Sequence, residues 1–222
     1  MTLARRDVWV FDLDNTLYPA DHTIYHAIGD RMTAYIARHV GVDAAEALRL
    51  RELYFDAYGA TVAGLVRHHG VDAADFLEFV HDTPLDGVEP DPALAPLIAA
   101  LPGRRIVFTN GASGYAARIL ARLGLAPLFE RAVALDDVGL VPKPERRAFE
   151  ALISLCGFDP ARAVMIEDHA RNLQPAHALG FATVLVGPEA QTAPWIDYAA
   201  PDVATFLQGH DPHQIDRPAR TP

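Results

Sequence analysis

Five short, mostly apolar runs separated by helical patterns constrain the fold of this 222-residue chain more than any other feature. Short apolar runs without alternation are typical of strands that are covered on both faces of a parallel sheet. Helical patterns, several of them followed by glycine, stand between most of the runs. This alternation predicts an α/β fold with a doubly wound parallel sheet. The runs are Val8–Phe11, Arg105–Thr109, Ala132–Leu135, Ala163–Ile166 and Ala182–Val186.

Residues 20–83 interrupt this alternation, because apolar residues recur there at helical spacing and no strand-like run appears. The first such stripe consists of Ile24, Ile28, Met32, Ile36 and Val40. Spacings of three and four residues indicate amphipathic helices. The sequence therefore predicts a core formed by residues 1–19 and 84–208, with a helical insertion at residues 20–83. Residues 209–222 are rich in Pro, His and Asp and are predicted to be a disordered tail.

Polar residues directly follow the first, second and fourth runs, and another lies in the loop after the third run. In an open parallel sheet, ligands bind beyond the carboxyl ends of the strands. A lone Asp-x-Asp is most often a solvated turn, but four polar groups in this order are hard to explain by chance. They therefore predict one shared site. In chain order the residues are Asp12, Asp14, Thr109, Asn110, Lys143, Glu167, Asp168 and Asn172.

This constellation resembles the phosphatase branch of the haloacid dehalogenase superfamily. Four motifs match in order: Asp12–Thr16, Thr109–Asn110, Lys143 and Glu167–Asp168. The resemblance covers about residues 8–208 and implies a Rossmann-like parallel sheet core with an α-helical cap after the first strand. Weaker matches are most similar to the pyrimidine 5'-nucleotidase-like members, and they include Asn15–Pro19, Tyr58–Gly59, Gly64–Leu65, His81–Asp82 and Pro84–Leu85.

The residue types fit hydrolysis of a phosphate ester. A carboxylate can attack phosphorus and form an aspartyl-phosphate, and we assign this role to Asp12. Asp14 can protonate the leaving alcohol and then deprotonate the attacking water. The hydroxyl of Thr109 and the backbone N–H of Asn110 can bind one phosphoryl oxygen, while Lys143 neutralises another.

A magnesium ion is the implied cofactor. Mg²⁺ usually takes one or two carboxylates, several waters and substrate oxygens, and Asp12 and Asp168 supply the two carboxylates. The resemblance implies that the backbone carbonyl of Asp14 is a third protein ligand. Glu167 replaces the aspartate of the more usual Asp-Asp motif, so we expect it to act through water. Asn172 is expected to support the ligands in the same indirect way.

Several functions stay open at this stage. The leading one is hydrolysis of nucleoside 5'-monophosphates, with pyrimidine nucleotides favoured. Sugar phosphates and phosphoglycolate are alternatives, as is a sugar-phosphate mutase that uses the same nucleophile. A phospho-accepting signalling domain is more remote, since such domains lack the helical insertion and an equivalent of Asp14. Dehalogenation is disfavoured because related dehalogenases lack this second carboxylate.

The cap is expected to select the substrate and to exclude water. Its aromatic residues could stack on a base, although most of them are expected to pack in the cap core. These are Tyr25, Tyr35, Tyr54, Phe55 and Tyr58.

Charge and hydropathy exclude other partners. The formal net charge of -10 argues against a nucleic-acid partner, which requires a basic face. No apolar run approaches the ~18 residues of a membrane span, and the start lacks the apolar core of a secretory signal. We therefore expect a cytoplasmic protein that binds no membrane and acts on a small phosphate ester. The sequence leaves its oligomeric state open.

Overall fold

The computed structural model describes Leu3 and residues 6–19, 22–188 and 192–209. Within these residues, six parallel strands form one sheet in the order third, second, first, fourth, fifth, sixth. This confirms the predicted α/β fold. The strands are β1 (Val8–Phe11), β2 (Arg104–Phe108), β3 (Arg131–Val133), β4 (Ala163–Glu167), β5 (Ala182–Val186) and β6 (Tyr198–Ala200).

The sixth strand was not predicted. β6 is three residues long, lies at the edge of the sheet and is only partly buried, so it carries no apolar run. The predicted tail at residues 209–222 lies outside the described residues, apart from Gly209 at the end of the last helix.

In the described residues between β1 and the return of the chain to the sheet, four α-helices pack around an apolar cluster that includes Tyr35, Leu65 and Phe76, and Leu135 of the core also joins this cluster. The side chains of Asp43 and Asp72 accept backbone N–H groups at the starts of two of these helices and satisfy donors that lack a helical partner. The helical insertion is therefore present, while its exact boundaries at residues 20 and 83 stay a prediction. The helices are α1 (His22–Ile36), α2 (Ala44–Tyr58), α3 (Thr61–His69) and α4 (Ala73–His81).

The remaining helices cover both faces of the sheet. Side chains alternate along β1, so Trp9 and Phe11 pack with one layer of helices while Val8 and Val10 pack with the other. Burial on both sides explains why the strands read as continuous apolar runs. The helices are α5 (Leu94–Ala99), α6 (Ser113–Arg122), α7 (Arg146–Cys156), α8 (Ala170–Leu179) and α9 (Val203–Gly209). No helix in the described part of the chain is both long and apolar enough to span a bilayer.

The register of the central strands determines where the polar residues lie. β1 is flanked by β2 and β4, and Phe11 at its end pairs with Val107 and Ile166. The residues that follow these three strands therefore emerge side by side at one edge of the sheet. The backbone N–H of Asp12 continues the ladder by donating to Ile166 O at 2.9 Å.

Candidate active site

Lys143 lies at the centre of the site and is the only lysine in the chain. Its Nζ donates to Asp12 Oδ1 at 2.6 Å, to Glu167 Oε2 at 2.7 Å and to the Phe108 carbonyl at 2.9 Å. The side chain is 1% exposed. Burial alone would lower the pKa of Lys143, but the charges of Asp12 and Glu167 outweigh it and raise the pKa. The group is therefore a fixed ammonium ion inside the protein.

The side chain of Asn110 holds the backbone of Lys143 in place. Asn110 Oδ1 accepts the Lys143 backbone N–H at 2.8 Å, and Nδ2 donates to the Lys143 carbonyl at 3.0 Å. Sequence reasoning gave Asn110 only a backbone contact to phosphate, and it missed this bidentate role because nothing in the pattern pairs residues 110 and 143. Such a pair of hydrogen bonds limits the movement of the Lys143 backbone, from which the side chain extends.

A loop between α2 and α3 comes very close to the same segment. Gly59 has φ +83°, and a Cβ atom there would lie 2.3 Å from the Lys143 carbonyl oxygen. Only glycine accommodates both this backbone conformation and this approach. The helical insertion therefore touches the segment that carries the central lysine.

Three carboxylates gather beside the lysine. Asp12, Glu167 and Asp168 each offer an oxygen, and these oxygens lie within 4.8 Å of one another. Burial and the charge of Glu167 raise the pKa of Asp12 to about 7 and that of Asp168 to about 9. Burial also acts on Glu167, but the ammonium of Lys143 outweighs it and lowers the pKa of this carboxyl. Three carboxyl groups thus surround one ammonium, and this group could hold a metal ion.

The surroundings of the carboxylates fit a hydrated divalent cation. Both oxygens of Glu167 are engaged, because Oε2 meets Lys143 and Oε1 accepts the His169 backbone N–H at 3.2 Å. Asn172 is 6% exposed, yet its Oδ1 has no hydrogen-bond partner among the described residues. A buried amide oxygen without a partner is costly, and a metal-bound water would satisfy it. The three carboxylates together with this unpartnered amide oxygen therefore fit a hydrated Mg²⁺ ion.

Asp14 lies outside this carboxylate group. Its Oδ1 accepts the hydroxyl of Tyr115 at 2.7 Å and the hydroxyl of Tyr18 as well. Asn15 follows with φ +60°, so the chain turns sharply after the aspartate. Sequence reasoning did not identify either tyrosine as part of the site. Tyr18 could have been noticed four residues after Asp14, whereas Tyr115 comes from a distant helix and gives no local signal.

Thr109 directly follows β2, next to Phe108, whose carbonyl accepts from Lys143. Its Oγ1 accepts the Gly111 backbone N–H at 2.9 Å, and its own backbone N–H donates to Val133 O at 3.0 Å. A hydroxyl that accepts one hydrogen bond can also donate its own proton, so Thr109 can offer a donor to a ligand. The structure thus assembles Asp12, Lys143 and the Glu167–Asp168 pair directly, with Thr109 and the other predicted residues next to them.

The aromatic residues of the cap fall into two groups. Tyr35 and Tyr54 are buried in the cap cluster, and Tyr58 donates to or accepts from His68 at 2.6 Å. Tyr25 is 52% exposed. Partial burial and the charges of Asp168 and Asp14 raise the pKa of the Tyr25 hydroxyl.

Phe55 is an aromatic residue of the cap that lies near the carboxylate cluster. Its ring centroid lies 5.9 Å from the ring of His169, the residue after Asp168. The guanidinium of Arg171 lies 4.4 Å from the centre of the Phe55 ring and donates to the Phe55 carbonyl at 3.3 Å. The sequence offered no role for His169, and the structure places it between the metal-ligand candidate and the cap.

Comparison with known proteins identifies the class. The haloacid dehalogenase-like hydrolase family matches residues 7–180, so the chain belongs to that family. The chain is 29% identical over 196 residues to "Phosphate metabolism protein 8" of Saccharomyces cerevisiae, covering 81% of this chain and 61% of that protein. It is 36% identical over 109 residues to "Fructose-1-phosphate phosphatase YqaB" of Escherichia coli, covering 48% of this chain and 57% of that protein. The chain thus spans about 60% of the length of each of these two relatives.

Solved structures show the same fold. A HAD phosphatase from Thermococcus onnurineus superposes with a TM-score of 0.62 at 19% identity, covering 91% of this chain and 96% of that one. The L-2-haloacid dehalogenase of Xanthobacter autotrophicus gives 0.58 at 16% identity, covering 91% and 97%. At these identities the likeness shows the fold alone. The family match over residues 7–180 therefore defines the class of the chain, a haloacid dehalogenase-like hydrolase.

Proposed function

We propose that the chain is a magnesium-dependent phosphomonoesterase that forms an aspartyl-phosphate on Asp12. One observation carries this proposal: Asp12, at the end of the central strand, lies within 2.6 Å of a buried ammonium and beside two further carboxylates, while Asp14 stands apart from them. A nucleophile, a charge-neutralising group and a separate proton donor are what phosphoryl transfer requires.

The two half-reactions use these groups in turn. A carboxylate oxygen of Asp12 attacks phosphorus, the bond from phosphorus to the ester oxygen breaks, and Asp14 gives its proton to the departing alcohol. Asp14 then takes a proton from water, and the water oxygen attacks phosphorus. The bond between Asp12 and phosphorus breaks, which returns the carboxylate and releases inorganic phosphate.

The remaining residues stabilise charge on the transferring group. Lys143 neutralises one phosphoryl oxygen, and the Thr109 hydroxyl with the Asn110 backbone N–H binds another. Asp12, Asp168 and the backbone carbonyl of Asp14 would hold Mg²⁺, with Glu167 and Asn172 acting through water. When bound, the ion neutralises the carboxylates and the phosphoryl oxygens.

For the substrate we propose a nucleoside 5'-monophosphate, with pyrimidines preferred. Phe55 lies beside His169, the neighbour of Asp168, and Tyr25 is a half-exposed aromatic residue of the cap. A flat base can stack on such rings. The proposed organisation is a core of residues 1–19 and 84–208 with a cap at residues 20–83, in a cytoplasmic protein.

A second candidate is a sugar phosphate or another small phosphate ester such as phosphoglycolate. The name of the Escherichia coli relative, a fructose-1-phosphate phosphatase, favours this alternative. The same core residues would perform the chemistry, and the cap would differ in what it binds.

A turnover screen of the purified chain with Mg²⁺ tests the proposal. The panel contains UMP, CMP, dTMP, AMP, GMP, fructose 1-phosphate and phosphoglycolate, with Asp12→Asn and EDTA as controls. We expect the pyrimidine nucleotides to lead in kcat/KM by about 10-fold and both controls to be silent. Preference for fructose 1-phosphate or phosphoglycolate would overturn the nucleotide assignment. Stable capture of phosphate without turnover would indicate a mutase or a phospho-accepting domain.

A further inference from the structure

Two tyrosines from different parts of the chain meet on one oxygen of Asp14. Tyr18 follows Asp14 by four residues, and Tyr115 comes from α6. Both hydroxyls donate to Asp14 Oδ1, Tyr115 at 2.7 Å, and the two hydroxyl oxygens are 2.8 Å apart. Each tyrosine is 3% exposed. We propose, building on the phosphomonoesterase function above, that Tyr18 and Tyr115 are positioning residues that direct the proton-carrying oxygen of Asp14 toward the leaving group.

The geometry separates the two oxygens of the carboxyl group. Both hydroxyls engage Oδ1, and a third hydrogen bond joins the two hydroxyls to each other, so the tyrosines gather on this one oxygen. The tyrosines leave Oδ2 unengaged, and in this proposal Oδ2 is the oxygen that delivers the proton to the leaving alcohol. The two hydrogen bonds also oppose rotation of the carboxyl group, which would exchange the oxygens. General acid catalysis depends on this kind of alignment.

Tyr115 is itself held by the segment that leaves the cap. Its ring stacks on His81 at the end of α4, with centroids 4.4 Å apart and planes 23° from parallel. Arg118, one turn after Tyr115, donates to the carbonyls of His81 at 3.0 Å and Thr83 at 2.7 Å. The orientation of Asp14 is thus tied to the point where the cap rejoins the core.

A purely structural role would also give each buried hydroxyl a partner. The chain offers a matched case for that role: Tyr35 is 2% exposed and donates to Asp75 Oδ2 at 2.5 Å within the cap. Tyr35→Phe removes the same kind of hydrogen bond away from Asp14. Comparing it with Tyr18→Phe and Tyr115→Phe separates loss of packing stability from loss of proton delivery.

The test measures kcat/KM with phosphate esters whose leaving groups differ in basicity, because kcat/KM reports the first phosphoryl transfer. Alkyl esters need a full proton from Asp14, whereas 4-nitrophenyl phosphate needs little. We expect Tyr18→Phe and Tyr115→Phe each to lose about 10-fold on alkyl esters and less than about 3-fold on 4-nitrophenyl phosphate. Tyr35→Phe should show no such difference, and circular dichroism checks the fold of every variant.

A second readout is a double-mutant cycle with Asp14→Asn. If the tyrosines act through Asp14, Tyr115→Phe should change the activity of Asp14→Asn by less than about 2-fold. Equal losses on all esters, no loss, or a full additional loss in the Asp14→Asn background would each overturn the positioning role. If the unsubstituted chain hydrolyses no ester of the panel, the phosphomonoesterase function fails instead, so the two failures are distinguishable.

Discussion

The site at the strand ends and the cap surface that carries Tyr25 differ in how firmly their side chains are held. Asp12 and Lys143 are almost fully buried and joined by a 2.6 Å hydrogen bond, and the Lys143 backbone is held by the side chain of Asn110. On the cap, Tyr25 is half exposed. The groups at the edge of the sheet are thus buried and fixed by several hydrogen bonds, whereas the cap presents an exposed ring. We therefore expect the sheet edge to perform the chemistry and the exposed part of the cap to select the substrate.

The largest expected effect comes from removing the nucleophile. Asp12→Asn keeps the size of the side chain but leaves no carboxylate to attack phosphorus, so turnover of every ester should fall by about 10⁴-fold or more. Steady-state kinetics measures the loss, and a thermal melt confirms the fold. Retention of activity on any one ester would contradict the claim that all substrates share the nucleophile Asp12 and differ only in how the cap binds them.

Replacing the central cation should come next. Lys143→Met leaves Asp12 and Glu167 buried without their ammonium partner. We expect kcat to fall by about 10²- to 10³-fold and the free energy of unfolding in EDTA to drop by about 3–5 kcal/mol. Lys143→Arg is the matched control. It keeps the charge, but its planar fork does not fit a site built for a compact ammonium, so it should restore stability only in part. Full activity of either variant would contradict the role of Lys143.

Asp168→Asn should change the pH dependence of stability. Burial and the charge of Glu167 raise the pKa of Asp168 to about 9 in the folded chain. The folded state therefore holds this proton more tightly than the unfolded state, and the stability it contributes is lost as pH rises toward about 9. In EDTA, the free energy of unfolding should fall less steeply from about pH 5 to about pH 9 in Asp168→Asn than in the unsubstituted chain. Denaturant titrations at several pH values measure both slopes, and equal slopes would contradict the raised pKa.

The smallest effect should come from the cap. Tyr25→Ala removes a ring on which a base can stack, so KM for UMP should rise about 5-fold or more. Turnover of phosphoglycolate, which has no base, should not change. Tyr25→Phe keeps the ring and serves as the control. An equal effect on both substrates would show that Tyr25 serves the common chemistry and not the selection of the substrate.

The sequence predicted the sheet and the gathering of polar residues at its carboxyl edge, because both depend on local order. Asp12 and Thr109 each follow an apolar strand directly. Such a residue lies at the carboxyl edge of the sheet whatever the position of its strand in the sheet. The partners of Asp14 could not be predicted in the same way, since Tyr115 reaches it across 101 positions. The side-chain role of Asn110 also depends on how a loop folds back, and no periodicity encodes that. β6 was missed because a three-residue edge strand lacks an apolar run.

The most direct test of the central claim is to look for phosphate on Asp12. The full chain is mixed with UMP and Mg²⁺ and quenched in acid within one turnover. The quenched protein is digested, and mass spectrometry determines the mass of the peptide that contains Asp12. We predict a peptide heavier by one phosphoryl group, sensitive to alkali and absent from Asp12→Asn. Release of inorganic phosphate at the normal rate with no phosphorylated peptide at any quench time would contradict the aspartyl-phosphate mechanism.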